Sequence, residues 1–201
     1  MDKKIVIIGA GGHGRVVADI AKLNKYTDIL FLDDNCENKG CTVAGKVSDY
    51  IEYIRDYDFI VGIGDNKTRQ TIMQKLINSN AKVVTLIHPK AVVCKDVKIG
   101  IGSVIMAGVV INTNVVIGNG VIINTSASVD HDCIIGNYVH ISVGANIAGT
   151  VNIGNEVFVG AGATIINNLS IVGGCIIGAG AVVVEQIKDR GTYIGIPSKR
   201  L

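Results

Sequence analysis

Tryptophan is absent from this 201-residue sequence, and proline occurs only twice. Aromatic residues make up 4% and charged residues 18%, against 48% hydrophobic. So apolar a chain is not disordered, because disorder requires too little hydrophobic material to build a core. Neither sign of charge dominates: the formal net charge of +2 carries no polyanion-binding signature and argues against a nucleic-acid partner. Five cysteines (Cys36, Cys41, Cys94, Cys133 and Cys175) form no CxxC pair and leave one over. That pattern argues against a disulfide framework and against zinc, and we expect no metal. Only four apolar residues, Ile5–Ile8, separate Lys4 from Gly9, too short a run for a signal peptide, so the expected location is cytoplasmic. Glycine is plentiful, at 25 residues, yet never settles into a period of three, which excludes collagen.

Ile99 to Val129 contains no charged residue and by length could span a bilayer. Asn112, Asn114, Asn119 and Asn124 interrupt it, however, and each amide would need a partner in lipid. We expect no membrane span, because the run has a different organisation.

Stepping by six from Ile87 meets Ile or Val at every position through Val183, seventeen in succession. The fifth position of each hexad is small or apolar, as at Ala91, Val109, Ala127, Cys133, Ala145 and Cys175. Ile-Gly recurs every eighteen residues, at Ile99, Ile117, Ile135 and Ile153. This is the signature of a parallel β-helix of roughly six coils, three hexads to a coil. β-Branched residues stack inside it and small residues fit the corners. Cys133 and Cys175 fall on interior positions and read as core residues rather than reactive thiols.

The composition shifts near Ile87, with 23 charged residues in positions 1–86 and 9 in positions 87–188. We therefore expect two domains, 1–86 and 87–201. The first reads strand (Lys4–Ile8), Gly-rich loop, helix (15–23), strand (29–32), strand (59–64), helix (67–78) and strand (82–86). Alternating strands and helices imply a small Rossmann-like parallel sheet. Its first loop, Gly9-Ala10-Gly11-Gly12-His13-Gly14, matches GxGxxG between a strand and a helix, where backbone N–H groups can meet a diphosphate. Asp33 and Asp34 end the next strand, placed to accept from ribose hydroxyls, and Gly64-Asp65-Asn66 follow the third. His13 either touches such a ligand or is simply a polar loop residue. A full dinucleotide domain needs two mononucleotide halves, and 86 residues hold about one, which counts against an NAD-dependent enzyme.

Three histidines lie at or in the repeat. His88 adjoins Pro89 at the junction and reads as structural. His131 and His140 hold the third and sixth positions of their hexads, so both imidazoles are expected to point outward. Asp130 and Asp132 flank His131 on a segment poor in charge, and a neighbouring carboxylate raises imidazole basicity and fixes its tautomer. That is the chemistry of a general base. His131 and His140 lie half a coil apart, so a site using both has to form between subunits.

The uninterrupted repeat resembles the hexapeptide-repeat acyltransferases. Gly-x-Gly-Gly-His-Gly, Phe31–Asp34, Ile63–Asn66, Asn124-Thr125-Ser126, His131 with an acidic neighbour, His140-x-Ser142-x-Gly144 and the tail Gly195–Arg200 sharpen that likeness. They resemble the bacterial sugar acetyltransferases, which include UDP-4-amino-sugar N-acetyltransferases of bacillosamine-type glycan synthesis and sialic acid O-acetyltransferases. The resemblance implies a left-handed β-helix, where general chain chirality would favour the opposite hand. It implies a homotrimer with inter-subunit sites and acetyl-CoA as co-substrate. It implies direct transfer to the 4-amino group of a UDP-linked 4-amino-4,6-dideoxy-sugar. Carried onto this sequence, it makes His131 the base and Asp132 its tuning partner, with His140, Gly149, Ala161 and Ala179 at acetyl-CoA. Gly11, Gly12, His13, Asp33, Asp34, Gly64, Asp65, Asn66 and Asn124 fall to the nucleotide sugar. Lys199 and Arg200 either meet CoA phosphates or sit in water. Two alternatives stay open: O-acetylation of a sialic acid or other sugar hydroxyl, and a non-enzymatic binding protein.

Overall fold

A computed structural model describes residues 3–35 and 42–201, which fall into two compact units, Met1–Pro89 and Lys90–Leu201. Cys36 and Cys41 lie outside the described residues; Cys94, Cys133 and Cys175 are free thiols.

The first unit comprises β1 (Lys3–Ile8), α1 (Gly12–Leu23), β2 (Tyr26–Leu32), β3 (Val43–Gly45), a 3-10 helix (Val47–Tyr53), β4 (Asp58–Val61), α2 (Asn66–Asn78) and β5 (Lys82–Val83). The five strands pair in parallel in the order β3-β2-β1-β4-β5. β1, buried on both faces, is a continuous apolar run, with Ile5, Val6, Ile7 and Ile8 fully covered. The strand order reverses at β1, so the crevice beyond the ends of β1 and β4 is where such a sheet receives a ligand. Several boundaries depart from the sequence reading. α1 begins at Gly12, inside the glycine motif, β2 begins at Tyr26, β4 stops at Val61, leaving Gly62–Gly64 as loop, and β5 stops at Val83. β3 and the 3-10 helix have no apolar periodicity to announce them.

The second unit is a left-handed parallel β-helix. Two-residue strands pair with those eighteen positions away, as Val110–Ile111 does with Ser128–Val129 and that pair with Asn146–Ile147. Three faces result. One carries His140–Ile141, the next Asn146–Ile147, the third Ile134–Ile135. The hexad spine from Ile105 to Val183 is buried throughout, and Cys133 and Cys175 are fully buried inside the wall. Val93 and Ile99, in the opening coil, are only half-buried. The charge-free run 99–129 is thus three-sided coil, and no helix among the described residues is long and apolar enough to cross a membrane. Corners are turned by a residue with positive φ, such as Asn114 (58°), Asp132 (58°), Thr150 (60°) and Asn168 (63°) in one column. Asn and Asp tolerate that conformation better than most side chains.

Candidate active site

Two places gather the expected residues, one in each unit. In the first, a cleft of about 400 Å³ is lined by Gly11, Gly12, His13, Asp33, Asp34 and Gly64, together with Thr68 and Ile72. The N-terminus of α1 opens onto it with Gly11 as cap, and its first turn holds no acidic residue to oppose the positive end of the helix dipole. A Cβ built at Gly11 or Gly12 meets nothing within 4 Å, so the backbone there is open to a ligand.

The two aspartates differ. Asp33 Oδ2 accepts from Ala10 N at 2.8 Å and its Oδ1 from Asn35 N at 2.9 Å, so it binds the glycine loop to the end of β2. Asp34 accepts from Val47 N at 3.0 Å. Asp65 and Asn66 stand outside the lining. Asp65 caps α2, accepting from Thr68 N at 2.8 Å and Thr68 Oγ1 at 2.6 Å, and these bonds hold its pKa low. Asn66 is buried and accepts from the Arg69 guanidinium at 2.8 Å.

In the β-helix, His131 sits in the turn between Ser128–Val129 and Ile134–Ile135, its side chain 51% exposed. Its Nδ1 lies 2.7 Å from Asp132 Oδ2. Asp132 Oδ1 accepts from Asn114 Nδ2 at 2.7 Å, and this bond, followed by that to His131, lowers the Asp132 pKa. Asp132 is therefore ionised at neutrality, Nδ1 is the donor, and the Nε2 lone pair is left to accept a proton. The hydrogen bond to Asp132 and the charge of Asp130 raise the imidazole pKa. Asp130 is fixed in turn, accepting from Asn112 Nδ2 at 2.6 Å and His131 N at 2.8 Å.

Gly149 lies one coil above, against the ring. A Cβ there would stand 2.7 Å from both Cε1 and Nε2 of His131. Because the ring is the far end of an exposed side chain, it can swing away without disturbing the wall. Gly149→Ala should therefore leave the melting temperature nearly unchanged while lowering kcat roughly 100-fold, since displacements near 1 Å cost about that much. Steady-state kinetics with a parallel melting curve checks both.

His140 is only 8% exposed, so its outward position does not leave it open to solvent. Its ring lies on the outer wall but within a column of side chains from successive coils. Ile122, itself 1% exposed, is its ladder neighbour on one side, and Phe158 packs edge-to-face at 5.1 Å on the other. Asn124 Nδ2 lies 3.3 Å from His140 Nε2. Ala161 and Ala179 are exposed and stacked one coil apart at the corner next to this face, with the amide of Gly180 donating to the Ala161 carbonyl at 2.8 Å. The structure thus joins His131, Asp132 and Gly149 at one corner. It sets Asn124, His140, Ala161 and Ala179 along another. Asn112, Asn114 and Asp96, which support the first group, escaped the sequence reading, although a step of eighteen residues places Asn114 beneath Asp132.

Among the described residues no group of three His, Cys, Asp or Glu side chains is arranged to hold a metal ion. Cys133, whose thiol donates to Ala148 O at 3.2 Å, has its pKa raised by burial and faces the interior.

Residues 4–76 match the PglD N-terminal domain family. Over its whole length the chain is similar to the acetyltransferase domain of PglB from Neisseria gonorrhoeae FA1090, with 40% identity, full coverage of both chains and a TM-score of 0.95. The same domain solved with acetyl coenzyme A gives 0.94. A mutant GDP-perosamine N-acetyltransferase from Caulobacter crescentus, solved with CoA and GDP-perosamine, matches at 35% identity and TM-score 0.93, covering 98% of this chain and 96% of that one. UDP-N-acetylbacillosamine N-acetyltransferase of Bacillus subtilis (strain 168) is 36% identical over 112 residues, and the match spans 52% of each chain, about half the length of that curated relative.

Proposed function

Because the chain belongs to the hexapeptide-repeat sugar acetyltransferase family, we propose that it transfers acetyl from acetyl-CoA to a nucleotide-linked amino sugar. The acceptor we assign is the 4-amino group of a UDP-linked 4-amino-4,6-dideoxy-sugar, and the base is His131. The observation that carries this reading is the His131–Asp132 contact at 2.7 Å, with Nε2 free to face a substrate. The curated relative named for a UDP sugar supports the choice of nucleotide.

Acetyl-CoA supplies an activated thioester. The acceptor amine bonds to its carbonyl carbon, the carbon–sulfur bond breaks, and the electron pair leaves with the CoA sulfur. His131 Nε2 takes the proton that the nitrogen sheds, while Asp132 steadies the imidazolium through Nδ1. The backbone N–H of Gly149 is the assigned oxyanion donor; one such donor is typically worth about 2.7–4 kcal/mol. An acyl-cysteine route through Cys133, the cysteine beside His131 and Asp132, is disfavoured because that thiol points inward with its pKa raised. The exposed Ala161–Ala179 corner, bordered by Gly162 and Gly180 with open space around them, offers a smooth surface that fits the slender arm of CoA. The cleft of the first unit takes the nucleotide, with Gly11, Gly12, His13, Asp33, Asp34 and Gly64 around it. Asp65 and Asn66 support that rim from α2. A homotrimer would bring the His131 corner of one subunit to the Asn124–His140 face of the next.

A free-thiol assay with acetyl-CoA tests the assignment. Thiol release is expected with a UDP-4-amino-4,6-dideoxy-sugar and not with free sialic acid. Release with the GDP-linked amino sugar alone would replace the nucleotide, and release with sialic acid alone would overturn the acceptor.

A further inference from the structure

We infer that Asn114 is a positioning residue for His131: its side-chain amide sets the plane of the Asp132 carboxylate, and Asp96 anchors Asn114 in turn. The inference rests on the reading of His131 as base.

The geometry runs down three successive coils. Asp96 Oδ2 accepts from Asn114 N at 2.8 Å and from Thr113 Oγ1 at 2.6 Å. Asn114 Nδ2 donates to Asp132 Oδ1, and Asp132 Oδ2 accepts from His131 Nδ1, both at 2.7 Å. An aspartate's terminal torsion is broad, so a carboxylate held by one oxygen alone can still turn. Tying Oδ1 to Asn114 removes that freedom and aims Oδ2 at the imidazole.

Neighbouring charges are few. His131 is flanked by Asp130 and Asp132 in its own turn, with the Cys133 thiol inside the wall. The coil below contributes the neutral Asn114, with Asp96 one coil further down, and the coil above presents Gly149 and Thr150, neither of them charged. The Asn114–Asp132 bond therefore acts on the only carboxylate bonded directly to the imidazole among the described residues.

A merely structural role is available to Asn114, since it turns a corner at φ 58°. Glycine fills that role equally well, keeps the backbone N–H that donates to Asp96, and carries no side-chain amide. Asn114→Gly thus separates the two roles, and Asn114→Asp keeps the shape while placing a second carboxylate against Asp132. The measurements are kcat and KM for the acceptor across pH, and the imidazole titration by NMR, with the His131 resonance assigned by its absence in His131→Ala.

For Asn114→Gly the expected result is an unchanged melting curve, KM within about twofold, kcat lower by roughly 10–100-fold. The titration midpoint should fall toward the ordinary value of about 6.5. Asn114→Asp should lose more in kcat than Asn114→Gly. An unchanged midpoint and kcat in Asn114→Gly would overturn the inference, as would loss of folding in both variants, which would assign Asn114 to the corner alone. A lowered midpoint with full activity would leave Asn114 its positioning role and remove His131 as the base.

Discussion

Replacing His131 with alanine should lower kcat by roughly 10²–10⁴-fold while the β-helix stays folded, the range that one positioned proton acceptor contributes. The fold should survive because the side chain is half-exposed and bonds only to Asp132 in its own turn. A base acts only when unprotonated. Wild-type activity should therefore fall as pH drops through the imidazole pKa, an acidic limb shifted upward from where an unperturbed histidine would place it. Asp132→Asn removes the carboxylate whose hydrogen bond does most to raise that pKa. The limb then moves to lower pH, although the plateau also falls because a weaker, less oriented base is left. Rate profiles of the three proteins decide the matter. Full activity in His131→Ala would remove it from the chemistry.

Gly14→Ala has the other large effect, and it falls on folding. Gly14 lies inside α1, where alanine would ordinarily gain about 0.5–1 kcal/mol over glycine. Here the added Cβ would run into the carbonyl oxygen of Gly9, with the carbonyl oxygen of Gly62 a further 3.5 Å contact. Both obstacles are backbone, and Gly9 is held at φ 104° with Ile63 against it. Overpacking of this kind typically costs about 1–3 kcal/mol or more, so the clash outweighs the helix preference. The first unit should melt several degrees lower in calorimetry or fail to fold. Gly11→Ala, in open space, is the matched control and should melt like the wild type.

Much of this molecule is written in its sequence. A six-residue recurrence of Ile and Val over seventeen hexads suits a coil with three equal sides, and the spine from Ile105 onward is buried as that requires. His131 and Asp132 stood out because charge is scarce on the prism. Asn114 did not, because asparagines abound there and most serve the wall. Asn119, Asn137 and Asn155 form a ladder in which side-chain oxygens accept from backbone amides one coil below. Which asparagine faces a carboxylate depends on side-chain direction, which periodicity does not encode. The burial of His140 likewise follows from its column neighbours Ile122 and Phe158, eighteen residues away in either direction. Asp65 was more legible than the reading made it, for Asp-x-x-Thr at Asp65–Thr68 is a helix cap by pattern alone.

The eighteen-residue step bears on how such a chain tolerates insertions and deletions. Asp96, Asn114, Asp132 and His131 interact vertically, each with the coil beside it. In a solenoid whose units touch only their neighbours, removing eighteen residues from a later coil shortens the stack and leaves this column aligned. Removing six keeps every hydrophobic residue in register yet rotates all that follows by one face. Inserted between Asn114 and Asp132, such a change would preserve the core and carry the carboxylate to a different corner from its amide. Stability alone accepts length changes in multiples of six; the column accepts only multiples of eighteen.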